Sequence, residues 1–407
     1  MPNLAHSVGK WMRGLLPIAL VVFTSAMGAT LLPVAIASSI YEETGSATSS
    51  VIVFLLQYLP AAILIKLIWR TTERTSPRLL LLFSCLAVAG ISCAIGVLYR
   101  PATLSVLYIL LAMRGVAECL IKQCRSVYVK LISRDFDVGF NSTIVLLFEF
   151  AGQAFGAIIA TLSLGRMSLL EICIIDVMFF VIAAALSLRL ANVDTEKNGV
   201  FELDSLSEVA ARIWQTPEQF FYFGMLICTV ITFQSINQTL RTWLPLEWLG
   251  LGMESAGTTE AISLAGIVVG IVVASRWIRK DSFSGTFLAG AMLMAILMLP
   301  LVFFSHSFVV SQGAYFFYMI VFEVCIAYSM AGMLAKTPKN MLKGTLALFY
   351  AASYGGLCLT GLVFSCLTDR IGLNIVAYLV SAAALFISIL LLFRLNSGFE
   401  SKFWRSL

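Results

Sequence analysis

The residues able to do chemistry in this chain are ionisable side chains set inside long apolar runs. A charge at such depth costs from about 2.5 kcal/mol upward, so it marks either a function or a buried pair. Arg114, Glu118 and Lys122 stand at i, i+4 and i+8, which places them in one stripe along one helix face. A stripe of that length must face protein or water. At about 1.5 Å per residue, Arg114 lies about 12 Å along its helix from Lys122, and Glu149 lies about 12 Å along the next helix from Asn141. Arg114 therefore reaches the depth of Glu149, and pairing with Glu149 or Glu118 would account for these residues as structure. The alternative is that Arg114 presents its planar fork to an anionic solute.

Glu323 is the most isolated charge, with no Lys or Arg within two turns on its own helix. A carboxylate buried in that way can exchange a proton when water comes and goes, which makes it a candidate coupling site. Glu118 could share that role. Asp176 lies at mid-depth of another run and reads as a structural hydrogen-bonding group. Gln234, Ser235, Asn237, Gln238 and Arg241 crowd one further run, too polar for a lipid-facing helix and suited to a wet cavity. Thr24 and Ser25 offer milder hydroxyls near the same depth of the first run.

The elements that must position these groups are membrane helices. Of 407 residues, 60% are hydrophobic and 12% charged, about half the charge of an ordinary soluble chain. A helical span needs about 20 apolar residues. Breaks at charged or Gly/Pro-rich points give twelve spans, starting near residues 14, 48, 79, 102, 139, 169, 220, 256, 283, 310, 341 and 370. Continuous runs such as 79–98 and 287–304 exclude barrel strands, which alternate in polarity over about ten residues. The expected fold is all-α integral membrane, with the first run an uncleaved span.

Basic residues alternate from loop to loop, and 21 of the 27 fall on one side if both termini are cytoplasmic, as the positive-inside rule requires. The longest polar stretch, 190–218, holds a possible capping box, Ser205-x-x-Glu208. It also carries Leu203, Leu206, Ala210, Ile213 and Trp214 at helical spacing, which predicts a surface helix. It divides the chain into a bundle over 1–189, a cytoplasmic linker over 190–218, and a bundle over 219–407. The halves echo each other: Thr30-Leu-Leu-Pro33 against Thr242-Trp-Leu-Pro245, and Arg166 to Arg189 against Arg370 to Arg394. Such offsets suit duplicated six-helix units.

Twelve spans in two pseudo-symmetric six-helix bundles resemble the major facilitator superfamily. That family's loop between spans two and three reads G-x-x-x-D-R-x-G-R-R. The same register here gives Trp69-x-x-x-Glu73-Arg74-x-Ser76-Pro77-Arg78, and the corresponding loop of the second half gives Ser275-Arg276-x-Ile278-Arg279-Lys280. The exporters' G-P-x-x-G-G on span five is matched at Gly152 and Gly156. Arg114-Gly115 through Arg125, Val129, Arg134 and Asn141 resembles the siderophore and drug exporter branch. The resemblance implies alternating access around a midplane site made by spans 1, 4, 7 and 10. Arg114, Thr24, Ser25, Gln234, Asn237, Gln238 and Arg241 would bind solute. Glu323, Glu118 and Glu149 would couple protons, and Glu73, Arg74, Arg78, Arg276, Gly152 and Gly156 would serve the conformational motifs.

The expected function is proton-coupled export of a small amphiphilic organic solute, siderophore-, metallophore- or drug-like. Proton-coupled import of an amino acid or similar nutrient is the runner-up, and a transporter-fold sensor a further alternative. Partners are the solute, protons and the lipid bilayer, with no nucleic acid, and the protein is expected to be a monomer in a bacterial inner membrane. Two histidines, His6 and His306, are too few for a His-rich metal centre. The nine cysteines form no C-x-x-C and read as buried free thiols, and no phosphate-binding G-x-x-x-x-G-K-[ST] loop occurs. No enzyme, cofactor or metal is expected.

Overall fold

In the computed structural model the described residues are 2–99, 104–132, 138–191, 206–278, 284–337 and 341–406, and they form fifteen α-helices. These are α1 (Pro2–Thr44), α2 (Ala47–Leu55), α3 (Leu59–Arg74), α4 (Pro77–Leu98), α5 (Leu104–Ile132), α6 (Val138–Ser163), α7 (Leu169–Ser187), α8 (Leu206–Gln215), α9 (Pro217–Thr229), α10 (Ser235–Trp243), α11 (Glu254–Ile278), α12 (Gly285–Leu301), α13 (Phe308–Lys336), α14 (Leu342–Ile371) and α15 (Leu373–Ser406). Ten spans among the described residues are long and apolar enough to cross a membrane. Two of the twelve expected spans fall short of that measure, for local reasons. The second is broken at 56–58 into α2 and α3, where Pro60 supplies no N–H. The ninth, α12, is apolar but short.

Local sequence sets the helix ends. Ser76 accepts from the Leu79 N–H ahead of Pro77, which needs no partner at the first helical position. Ser168 and Glu171 form a reciprocal capping box at α7. Between α14 and α15, Gly372 takes φ +83°, a conformation that a side chain would strain.

The helices form two compact units, one of residues 1–45, 52–200 and 252–264 and the other of 46–51, 201–251 and 265–407. In the first, α1 packs along α6 and α7, and α4 along α5 and α7. Glycine permits the close approaches. A Cβ on Gly152 would lie 2.3 Å from the Phe23 carbonyl oxygen, and one on Gly156 2.2 Å from that of Met27, so α6 and α1 touch backbone to backbone, as small residues allow in membrane bundles. In the second unit, α12 lies between α13 and α15, and α9 packs on the same two helices. The amphipathic α8 buries Val209 and Ile213 beside Met341. Its exposed Trp214 stacks beneath the Arg394 guanidinium, 3.9 Å from the ring centre.

Candidate functional site: buried charge in the first unit and a polar helix in the second

The charged stripe on α5 is buried, and α7 completes it. Arg114 donates Nε–H to Glu118 at 2.7 Å, Nη1 to Ser92 Oγ and Asp176 Oδ2 at 3.0 Å each, and Nη2 to the Gly28 carbonyl at 3.0 Å and Asp176 Oδ1 at 3.1 Å. These five bonds use all five of its N–H donors. The Phe180 ring lies 5.4 Å from the guanidinium carbon. Asp176, read from sequence as a structural hydrogen-bonding residue, is thus half of a bidentate ion pair. Glu149 pairs with Arg125 rather than with Arg114.

Below this cluster is a small cavity whose polar lining is Ser25, Glu118, Lys122, Arg125, Glu149 and Gln153, set against apolar Val22 and Phe180. Water centres reach about 30 Å³ of it, room for water but not for an organic solute. The Lys122 ammonium lies 5.6 Å over the Tyr58 ring, on the segment that interrupts the second span. Gly115 lets α5 approach that break, since its Cβ would lie 2.4 Å from the Leu56 carbonyl oxygen. Thr24 and Ser25 spend their hydroxyls on carbonyls of their own helix.

In the second unit α10 is bracketed by two π-helical turns, Val230–Gln234 and Leu244–Trp248. Such turns re-aim side chains and recur at functional sites. Asn237 and Gln238 on α10 are fully buried. Asn237 Oδ1 accepts from the Tyr315 hydroxyl of α13, a very short contact. Asn237 Nδ2, both ends of the Gln238 amide and Thr239 Oγ1 have no partner among the described residues. Gln234 is half-buried beside them, and Arg241 lies one turn beyond Gln238.

Glu323 on α13 is buried, and among the described residues neither a hydrogen bond nor an ion pair reaches its carboxylate. Gly270 of α11 faces it so closely that a Cβ there would lie 2.7 Å from the Glu323 Cβ. Of the conformational-motif residues, Arg78 donates Nη2 to the Leu188 carbonyl at 2.6 Å and Arg276 is exposed. The side chains of Glu73 and Arg74, like Ser205 of the expected capping box, lie outside the described residues.

Three features went unread in the sequence. Arg125, which the sequence offers only within the family resemblance, continues the charged stripe three residues past Lys122 as the partner of Glu149, and Glu260 of α11 is a further buried carboxylate; a scan of every charge inside an apolar run could have found both roles. Tyr315 and Tyr318, stacked at 6.3 Å, carry no charge or spacing signal that separates them from packing aromatics. Among the described residues, no three His, Cys, Asp or Glu side chains cluster as metal ligands.

A helical membrane chain that buries ion pairs and amides within its spans has the build of a solute carrier. The chain belongs to the Major Facilitator Superfamily, whose family model matches residues 18–361. It is therefore a multi-pass secondary transporter and not an enzyme. Among solved structures it is similar to the nucleoside transporter NupG, at 11% identity and TM-score 0.72, covering 93% of this chain and 98% of that one. It is also similar to a bacterial homolog of the human lysosomal transporter Spinster, in an inward-facing and unoccupied conformation. There the identity is 11% and the TM-score 0.67, with 94% of this chain and 95% of that one covered. These likenesses are of fold. No curated protein sequence matches the chain.

Proposed function

We propose that this transporter exports a small amphiphilic organic solute in exchange for protons. The observation that carries the coupling is Glu323, a carboxylate buried in its unit without a partner among the described residues. Burying an uncompensated charge is costly, so closing water away from Glu323 and loading it with a proton are linked steps. Glu118 and Glu149, the other candidate coupling carboxylates, are each held by an arginine. Gln238 and Asn237 contact the solute, because buried amide groups without partners among the described residues are costly until a ligand satisfies them, and Gln234 and Arg241 stand within a turn of them on the same helical segment. Arg114, with every donor engaged, holds Glu118 in place at the wall of the cavity that Ser25 also lines.

Export is favoured by Gly152 and Gly156, the two positions that resemble the exporters' span-five motif and that bring α6 against the α1 backbone. The protein works as a monomer in the cell membrane, a bacterial inner membrane, with both termini cytoplasmic. Cysteines at positions 45 and 306 are then labelled from outside, and those at 212 and 276 only from the cytosol.

The deciding experiment is transport of a broad metabolite mixture by proteoliposomes under an imposed pH gradient, read by mass spectrometry in both directions. Solute moving opposite to the proton gradient supports export. Solute moving with the protons reverses the direction, and movement insensitive to the gradient removes proton coupling.

A further inference from the structure

Three cations reach the cavity region of the first unit, and two are already committed. Arg114 gives all five donors to Glu118, Asp176, Ser92 and the Gly28 carbonyl, and Arg125 is bound to Glu149. Lys122 differs. It lies one turn from Glu118 on the same face of α5 and lines the cavity. Its ammonium is over the Tyr58 ring, and among the described residues no carboxylate comes within ion-pair distance of it. The set of three basic groups (Arg114, Lys122, Arg125) and three acidic groups (Glu118, Glu149, Asp176) is neutral as a whole. Within it both arginines hold the carboxylates, and the lysine is left facing the space.

We propose that Lys122 is the anchor for an anionic group on the transported solute, so that the substrate class is an organic anion. This rests on the transport reading above. An ammonium is a compact point charge with three rotatable donors, suited to a carboxylate or a phosphate alike, and the Tyr58 face steadies it between solutes. Gln153 supplies a neutral donor on the facing helix. As it stands the cavity admits only water; when it widens in the transport cycle, Val22 and Phe180 offer an apolar wall to the body of the solute. The paired carboxylates Glu118 and Glu149 repel an anion weakly because each is neutralised at contact distance, and they repel it far more once its arginine is removed. The site thus selects charge through one residue and leaves the arginines as framework.

The test is efflux from proteoliposomes loaded with a whole-cell metabolite extract, compared with protein-free liposomes and read by mass spectrometry in both ion modes. The species that leave through the parent protein are expected to be anions, and fragment masses divide carboxylates from phosphate esters. Lys122→Gln is expected to slow their efflux about tenfold, and Lys122→Arg to keep most of it. Efflux of cations or neutral species instead of anions overturns the proposal, as does equal efflux by the parent and a folded Lys122→Gln. If Lys122→Gln does not give a monodisperse protein, the charge of the species moved by the parent decides alone. If nothing leaves, the transport reading itself fails and the anchor with it.

Discussion

Arg114 and Asp176 meet fork to fork: Nη1 lies 3.0 Å from Oδ2 and Nη2 3.1 Å from Oδ1, and both side chains are almost wholly buried. The two helices that carry them, α5 and α7, are separated by α6 in the chain. A pair of this kind contributes little beyond what an apolar filling would, yet breaking it strands a charge at a cost of about 3–5 kcal/mol. Arg114→Ala is accordingly expected to lower the thermal midpoint of the purified protein strongly, since it leaves both Asp176 and Glu118 without their cation. Removing all three charges together, as Arg114→Met with Asp176→Asn and Glu118→Gln, should recover part of the loss. Differential scanning fluorimetry in detergent checks this, and a triple variant no better than Arg114→Ala would count against the ion-pair account.

Gly156 stands where α6 meets the α1 backbone. A Cβ at this position would sit 2.2 Å from the Met27 carbonyl oxygen and 2.9 Å from its carbon. Neither atom belongs to a flexible side chain, so the helices must separate. Gly156→Ala is expected to cost about 1–3 kcal/mol, the usual range for overpacking, and to be read as a lower unfolding midpoint. The control is Gly90→Ala, where the added carbon meets nothing within 4 Å, so the midpoint should stay put.

The spans could be read because charged and Gly/Pro-rich breaks interrupt apolar runs, and each expected start after the first falls within a few residues of a helix that begins there, whereas α1 begins well ahead of the expected 14, at Pro2. Partners between helices were another matter. Arg114 could be matched by depth and spacing to Glu149 or Glu118, but depth alone does not say which helices touch. Asp176 had no visible partner because its cation is 62 positions away in sequence. The π turns around α10 were equally hidden, since a local change of helical period leaves no mark in residue types.

Asp369, in the last turn of α14, lies at the start of α2. Its carboxylate accepts from the Ala47 N–H at 2.7 Å, the Thr48 hydroxyl at 2.7 Å, the Ser46 hydroxyl at 3.1 Å and the Thr48 N–H at 3.2 Å. The first N–H groups of a helix have no partner within it, and a negative charge there is stabilising by about 0.3–1 kcal/mol, more when partly buried. Asp369→Asn removes the charge and one acceptor oxygen. Amide hydrogen exchange at residues 47 and 48 is expected to speed up about fivefold, equivalent to about 1 kcal/mol. Unchanged exchange at both amides would show that the carboxylate contributes nothing to holding that segment.

Glu323 tests the coupling itself. It is buried on α13, with Gly270 of α11 against its stem and the buried Cys325 two positions on. Glu118 and Glu149 are each paired with an arginine. Glu323, with no partner among the described residues, must meet water or gain a proton. A pH gradient can then bias which state is populated, because a proton that binds one state better than another shifts the equilibrium by that difference. Glu323→Gln keeps the shape of the protonated acid and removes the exchange. It is expected to leave expression and solute binding near those of the parent and to abolish gradient-driven accumulation. Counterflow of solute against solute should survive, since it needs no net proton movement. Both fluxes are measured in the same proteoliposomes, with and without an imposed pH difference. Uphill transport by Glu323→Gln that equals the parent, with the same pH profile, would remove Glu323 from the coupling step and leave it a neutral member of the bundle.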